Sequence, residues 1–521
     1  MPFTTLNELF DTLQEVPSAE CFSVVRESDQ SLIGSLTTKH LLFGSHSVAT
    51  HGANAGIGAG DRVMLVAPTS VSWVQAFVGI LRSGAVAVPT NHMFTEYELL
   101  PILDLVRPRA LIIDDSTQAQ VEAAITRFRD DVQVYQLDQL LGTEPNQAMV
   151  RRVSPDDPAV ILFTSGTTGS PKGVVKRHGE YAKFIAWFAQ FAMSEEDRLA
   201  NFLPMYHQAG LVLTFLAGLA RQVPTVHIDR YRPETFWDNI DAHQLTWSIM
   251  MQPMPRQLLS RPVSHEDSTH SLRWAFGTAG PGDWIEFQRR FQVSFQSSYG
   301  STETTVACLT GTRNDPTVRS ERIRGPKGGA LCGRPSDSWA EIRLSSPEKA
   351  ALDTERSGYL EVRGPAIFRE YFHNASKTRE AFTSDGWFRT GDYGYYSTTG
   401  ELYLLDRSGD LIRRSGETIA PREVEEVLLA LDHIVDCAVV GVADETREHE
   451  VAAFIQRKIG SNVTAQAIFE HCGVRLARFK IPRYIEFVDS LPRTNTHKVQ
   501  KGQLKLSRKA VDRNAALESQ S

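Results

Sequence analysis

Apolar and polar positions change period several times along the chain. From residue 61, DRVMLVAPTS reads as a strand entering a turn, VSWVQAFVGILRSG as a helix ending at Gly84, and AVAVPTN as a second strand. Strand, helix and strand in so short a span form a βαβ unit, and such a crossover joins parallel strands. Further strand-like runs follow at 109–114 (RALIID), 159–164 (AVILFT), 245–250 (LTWSIM) and 272–280 (LRWAFGTAG). HGEYAKFIAWFAQFA, 178–192, has helical spacing, and GLVLTFLAGLA, 210–220, reads as a buried helix. Residues 1–60 are weakly patterned.

After about residue 355 the texture turns to short strands and turns: GYLEVRG, GWFRTGDYGYYS, GELYLLDRSGD. From 421 a compact unit follows: the helix PREVEEVLLALD, the strands DCAVVGVAD and VAAFIQRK, a helix over 464–476, and YIEFVDS. The alternation predicts an α/β fold class. A large N-terminal domain of parallel or mixed sheets, packed helices and a small β-region occupies 1–406. DRSGD marks a boundary at 407–410, and a small α+β C-terminal domain occupies 411–521. The polar tail from 506 is expected to fray.

With 521 residues, the chain is long enough for more than one core. No run reaches the length of a membrane span, and the N-terminus carries acids where a secretory signal would carry lysine or arginine. A cytoplasmic protein is expected. Five scattered cysteines with no CxxC pair fit reduced thiols rather than disulfides or a zinc site. A net charge of −7 argues against a nucleic-acid surface but not against a small anionic ligand.

VILFTSGTTGSPKGVV, 160–175, carries the most specific chemistry. Glycines let successive N–H groups turn towards one anion, Ser and Thr hydroxyls add donors, and Lys172 adds a full charge. The natural partner is a polyphosphate, although the spacing is not that of a Walker A loop. A strand ending at Thr164 is expected to pass through this loop towards a helix. A flexible surface loop is the bland alternative, which the lysine and the hydroxyls set between glycines make a poor fit.

The stretch resembles the signature of the adenylate-forming superfamily, which unites acyl-CoA synthetases, luciferases and peptide-synthetase adenylation domains. Other segments are similar to family motifs in the same order: LPMYHQAG (203–210), GTAG (277–280), SSYGSTET (297–304), DGWFRTGD (385–392), DRSGDLIRRSGETIAPREVE (406–425) and LPRTNTHKVQK (491–501). The layout, including YRPETFWDNI, also resembles the carnitine/crotonobetaine-CoA ligase branch.

The resemblance implies an acyl-CoA synthetase that uses ATP, Mg²⁺ and coenzyme A. A carboxylate attacks the α-phosphorus, pyrophosphate leaves, and the CoA thiol then displaces AMP. Carried over residue by residue, Thr164, Ser165, Gly166, Thr167, Thr168, Gly169 and Lys172 hold phosphates. Glu303 and Thr168 hold the metal, and Thr302 faces the α-phosphate. Gly277, Thr278, Ala279, Ser298, Tyr299 and Gly300 form the adenine side, with Tyr299 stacking on the base, while Asp392 and Arg407 take the ribose. Lys498 bridges the two anions, and His207 lies near the acyl pocket and thiol tunnel. The resemblance also makes the small domain mobile about Gly409, bringing Ser415, Gly416 and Glu417 to CoA.

Two departures stand out: His497 replaces the glycine usual before the lysine, and Gly409 replaces the usual Asp or Lys hinge. MYHQAG lacks the acid that amino-acid-activating relatives use for an ammonium group, and no carrier domain follows 506. Both favour CoA over a carrier-protein thiol, with a separate carrier protein as the alternative acceptor and a homodimer as an open possibility. A purely nucleotide-binding regulatory role is the third reading, opposed by Lys498 and Glu303. Methionines in MMQPMP, 250–255, suit either an adaptable acyl pocket or ordinary packing.

Overall fold

The computed structural model describes residues 3–513 apart from 129–130, 147–148, 165–170, 252–253, 310–328, 336–338, 346–356, 408–409, 411, 415–416, 420, 445–446, 477 and 494–498. Three sheets organise it. One, of six strands, runs Gln133–Gln136, Ala110–Ile113, Arg62–Val66, Val86–Pro89, Pro158–Thr164 and Lys172–Arg177. Its first five strands are parallel, as the βαβ reading requires, and the sixth is antiparallel to its neighbour. The helix Val71–Arg82 forms where expected: Ser70 Oγ accepts from Trp73 N at 3.0 Å at its start, and Gly84, at φ +80°, follows its end.

The second sheet has thirteen strands. In its centre Glu20–Val25, Thr225–Ile228, Leu199–Asn201, Trp247–Met250, Trp274–Gly277 and Ser294–Ser301 are parallel. Beyond Ser301 the chain doubles back into Thr305–Leu309, and the strands up to Leu402–Arg407 pair antiparallel. The carboxyl ends of the parallel strands, beside this change of direction, are where open α/β sheets bind ligands. The third sheet joins Glu417–Ile419, Ile412–Arg414, Glu448–Arg457, Tyr484–Phe487 and Val511–Asp512, with Ile434–Asp444 beside the third of these. It has a core of its own around Ile412, Val424, Val439, Ile455 and Ile468.

Several sequence expectations change. Residues 1–60 hold the strands Glu20–Val25 and Leu32–Thr37 and the helix Thr38–Asn54. Between Thr164 and the helix His178–Ala192 lies a strand, Lys172–Arg177, paired antiparallel with Pro158–Thr164. The expected strand-to-helix loop therefore joins two strands of a hairpin, because VVKR continues the extended pattern before the helix starts. The segment read as one buried helix winds as a π-helix over Leu211–Leu216 before becoming α-helical at Ala217–Arg221, and it is buried as expected. The tail does not fray over its first residues. Ser507 N and Oγ donate to Glu486 at 2.8 and 2.7 Å, and Val511–Asp512 adds a short strand. All five cysteines are free and buried, as reduced thiols require. Among the described residues no helix is long and apolar enough to cross a membrane.

Candidate active site

Strand Trp274–Gly277 ends in a residue that only glycine can supply. Gly277 has φ +147°, and a Cβ there would fall 1.8 Å from the Met250 carbonyl oxygen. That carbonyl accepts from Thr278 N at 3.0 Å, so the GTAG turn is drawn against the neighbouring strand end. Gly277 lies opposite Ser297 in the next parallel strand, and Ser298 Oγ donates to Gly277 O at 3.4 Å. At Gly300 a Cβ would fall 1.8 Å from Thr305 O. There the chain folds back, pinned by Ser301 N donating to Thr304 Oγ1 at 2.9 Å. Thr302 and Glu303 occupy the turn, and both are partly exposed.

Tyr299 and Asp392 are each 6% exposed, and the tyrosine hydroxyl donates to Asp392 Oδ2 at 2.7 Å. Burial and the adjacent carboxylate push the Tyr299 pKa well above its usual value, so the hydroxyl stays a donor. Whatever Tyr299 offers a base must come from its ring. Arg407 faces Asp392 in the register of the strands Phe388–Tyr396 and Leu402–Arg407. The expected adenine and ribose residues are thus physically joined.

Thr164 and Lys172 face each other across the mouth of the hairpin. The Lys172 ammonium stands 5.5 Å from the centroid of the Tyr371 ring. The Tyr371 hydroxyl donates to Glu303 Oε1 at 3.0 Å, and burial together with the Glu303 charge raises the tyrosine's pKa. One tyrosine therefore touches both the lysine that closes the expected phosphate loop and the expected metal carboxylate.

His207 stands before the short helix Gln208–Gly210, and its neighbour's Gln208 Nε2 donates to Ser301 O at 3.0 Å. The LPMYHQAG segment is in this way tied to the turn bearing Thr302 and Glu303. Among the described residues the buried Nε2 of His207 finds no hydrogen-bond partner. Desolvation pulls the His207 pKa down to about 4, making the ring a neutral imidazole at physiological pH. Its chemistry is hydrogen bonding rather than charge pairing.

A family model for the AMP-binding enzyme matches residues 26–372, and one for the AMP-binding enzyme C-terminal domain matches 423–498. The chain belongs to the AMP-binding enzyme family. It is 30% identical to the sulfoacetate–CoA ligase of Cupriavidus necator over 86% of this chain and 88% of that protein. It is 29% identical to the crotonobetaine/carnitine–CoA ligase of Proteus mirabilis over 96% of this chain and 98% of that one. Among solved structures, ATP-bound MatB from Rhodopseudomonas palustris superposes with a TM-score of 0.83 at 25% identity, covering 96% of this chain and 98% of that one. The o-succinylbenzoate CoA synthetase of Bacillus subtilis with its acyl-adenylate gives 0.82 at 26% identity, covering 97% and 99%. The recognition of an adenylate-forming enzyme of the acyl-CoA synthetase type stands.

In this AMP-binding enzyme the donor set fits Mg²⁺. Glu303 presents a hard carboxylate, partly exposed and bonded to Tyr371, whose ring lies under Lys172. Among the described residues no cluster of three or more His, Cys, Asp or Glu forms an all-protein cage. Mg²⁺ is commonly held by one or two carboxylates plus phosphate oxygens, and Glu303 is the carboxylate available here for that role.

Ser165, Gly166, Thr167, Thr168 and Gly169, together with Gly409, Ser415, Gly416, His497 and Lys498, lie outside the described residues. So do the side chains of Arg407 and Glu417, whose strands are placed. Arg493 and Val499 pair antiparallel on either side of the segment carrying Lys498. Sequence reading missed Tyr371 and Gln208. Tyr371 sits in FREYF, which carries no motif, and its role appears only through contacts with residues 68 and 199 positions away.

Proposed function

We propose that this AMP-binding enzyme activates a small or medium carboxylic acid and passes it to coenzyme A. It is an AMP-forming acid–thiol ligase with ATP, Mg²⁺ and CoA as its co-substrates. A carboxylate oxygen bonds to the α-phosphorus as the bond to pyrophosphate breaks. The CoA thiol then gives up its proton to solvent as its sulfur bonds to the acyl carbon, and AMP leaves with the electron pair of the broken acyl C–O bond. The observation that carries this reading is Tyr371 joining the lysine of the phosphate loop to the Glu303 carboxylate.

Thr164, the loop through Gly169 and Lys172 hold the β- and γ-phosphates, while Thr302 faces the α-phosphate. Glu303 and Thr168 hold Mg²⁺, which neutralises triphosphate charge when bound. Gly277, Thr278, Ala279, Ser298, Tyr299 and Gly300 form the adenine wall. Asp392, with its acceptor oxygens, and Arg407 hold the ribose. Lys498 meets the carboxylate and phosphate oxygens where repulsion between two anions is greatest. His207 serves the acyl side as a neutral hydrogen-bonding group, and the methionines of MMQPMP, the GTAG loop and the residues around Ala307 contribute the rest of that pocket. The protein divides into a 1–406 domain, a 407–410 hinge centred on Gly409, and a 411–521 domain that turns to bring Ser415, Gly416 and Glu417 to CoA. The cytoplasm, where ATP and CoA are found, is its place of action.

The test is release of AMP from a panel of carboxylic acids, with and without CoA, alongside exchange of labelled pyrophosphate into ATP. Acid-dependent exchange and CoA-dependent acyl-CoA formation are expected. Exchange without acyl-CoA would move the acceptor to a separate carrier protein, and absence of exchange with every acid would reject the reading.

A further inference from the structure

Behind Glu303 lies a second lysine that the steps above do not use. Side chains alternate along the strand Lys172–Arg177, so Lys172, Val174 and Lys176 share a face. Lys172 stands at the loop end, and Lys176, four residues on, is 0% exposed. Its Nζ donates to the carbonyl oxygens of Glu303 and Ala366, each at 2.8 Å, and lies 5.9 Å from the Tyr181 ring centroid. The Glu303 carbonyl also accepts from Phe368 N at 2.9 Å, so it is held from two sides.

An ammonium is a costly way to fill such a space. Removing one from water costs several kcal/mol even after the surroundings relax, whereas an aliphatic side chain of similar length avoids that cost. Desolvation pulls the Lys176 pKa down to about 8, and the charges of Glu180 and Glu303 oppose the fall. What the lysine supplies, and an aliphatic residue does not, is a pair of strong hydrogen bonds to two separate segments. One is the turn that presents the Glu303 carboxylate. The other, Ala366 to Phe372, runs along the same strand, with Val175 N donating to Glu370 O at 3.2 Å and Phe372 N to Gly173 O at 2.7 Å, and presents Tyr371. The two segments meet again at the Tyr371–Glu303 bond.

We propose that Lys176 is a positioning residue for the metal–nucleotide site: by clamping the carbonyls of Glu303 and Ala366 it fixes both the Glu303 carboxylate and the Tyr371 hydroxyl that orients it. The proposal rests on Glu303 being the metal ligand. Loss of partners that orient a metal ligand typically lowers metal affinity about 10–100-fold.

Mn²⁺ binding, read by electron paramagnetic resonance with α,β-methylene-ATP at saturation, tests it on the full chain. Lys176→Met is expected to raise the Mn²⁺ Kd about ten-fold and to leave metal-free binding of the analogue unchanged. Tyr371→Phe should shift the Kd in the same direction, and the double variant should shift it by less than the product of the two. A wild-type Mn²⁺ Kd in Lys176→Met, with only the melting temperature lowered, overturns the proposal and leaves the lysine a packing role. If Lys176→Met does not fold, Lys176→Gln keeps an uncharged donor group on a shorter stem. A raised Mn²⁺ Kd then supports the clamp, and a wild-type Kd overturns it. Glu303→Gln separates the two claims: if it binds Mn²⁺ like the wild type, the assignment of Glu303 to the metal fails, and the clamp's function fails with it.

Discussion

Asp392 illustrates how much one residue can hold together. It is buried, it accepts the Tyr299 hydroxyl at 2.7 Å, and it faces Arg407 across two strands. Replacing Asp392 with Asn keeps the shape and removes the charge that, in the proposed site, would strengthen hydrogen bonds to the ribose. Bonds to a charged acceptor contribute about 1.5–3 kcal/mol, so Asp392→Asn should raise the ATP KM by roughly ten-fold or more, read from steady-state adenylation. The acid KM should change little. At this scale legibility depends on whether a residue sits inside a run of local signal. Asp392 and Glu303 are nominated because DGWFRTGD and SSYGSTET surround them. Tyr371 and Lys176 do their work through contacts with distant segments, and nothing adjacent in sequence announces them.

Elements with strong period were legible almost residue for residue. The helix read at 178–192 is His178–Ala192, and the strand read at 245–250 is Trp247–Met250. The helix Thr38–Asn54 was not, because its buried face is made largely of Gly44, Ser45, Ser47, Ala49 and Thr50. The close approach to Val71–Arg82 is permitted from the other side as well, by Gly79: a Cβ there would stand 2.5 Å from Val48 Cβ and 2.7 Å from Ser45 O. A packed face of this kind has little hydropathy to detect. Gly277 makes the same point at a strand end, where backbone conformation and space both forbid a side chain. Gly277→Ala should therefore displace the GTAG turn from Met250. A strained backbone residue costs about 1–3 kcal/mol, to be read from the urea midpoint, with weaker ATP binding alongside.

Two predictions concern the whole molecule. His46, His178, His207 and His227 are all pulled down to about 4, chiefly by desolvation. In the unfolded chain a histidine titrates near 6.5. Between those values the unfolded state binds more protons, so this stability is fully present above about pH 6.5 and is lost as pH falls towards 4. Each histidine contributes a slope approaching ~1.4 kcal/mol per pH unit near pH 5. Burial raises the pKa of Glu180 and Asp283, and these carboxyls oppose that slope. Unfolding free energies from pH 7 to 5 should show a net loss on acidification, and His227→Asn should reduce the slope by about one proton. The second prediction follows from the proposed domain rotation. Lys498→Ala should lose adenylation by on the order of 10²–10³-fold while still forming thioester from a supplied acyl-adenylate. Equal loss of both half-reactions would place the two on one fixed active site.

Sequence alone determined the fold class and the family and nominated the candidate site residues, since hydrophobic period and motif chemistry are local properties carried by neighbouring residues. Tertiary structure decided that the strands flanking the expected phosphate loop pair as a hairpin and that the tail through Val511–Asp512 joins a sheet. It also decided that Tyr371 and Lys176 stand against Glu303. Those outcomes depend on strand pairing and on hydrogen bonds between residues far apart in the chain, and no local pattern encodes which distant partner a buried donor will find.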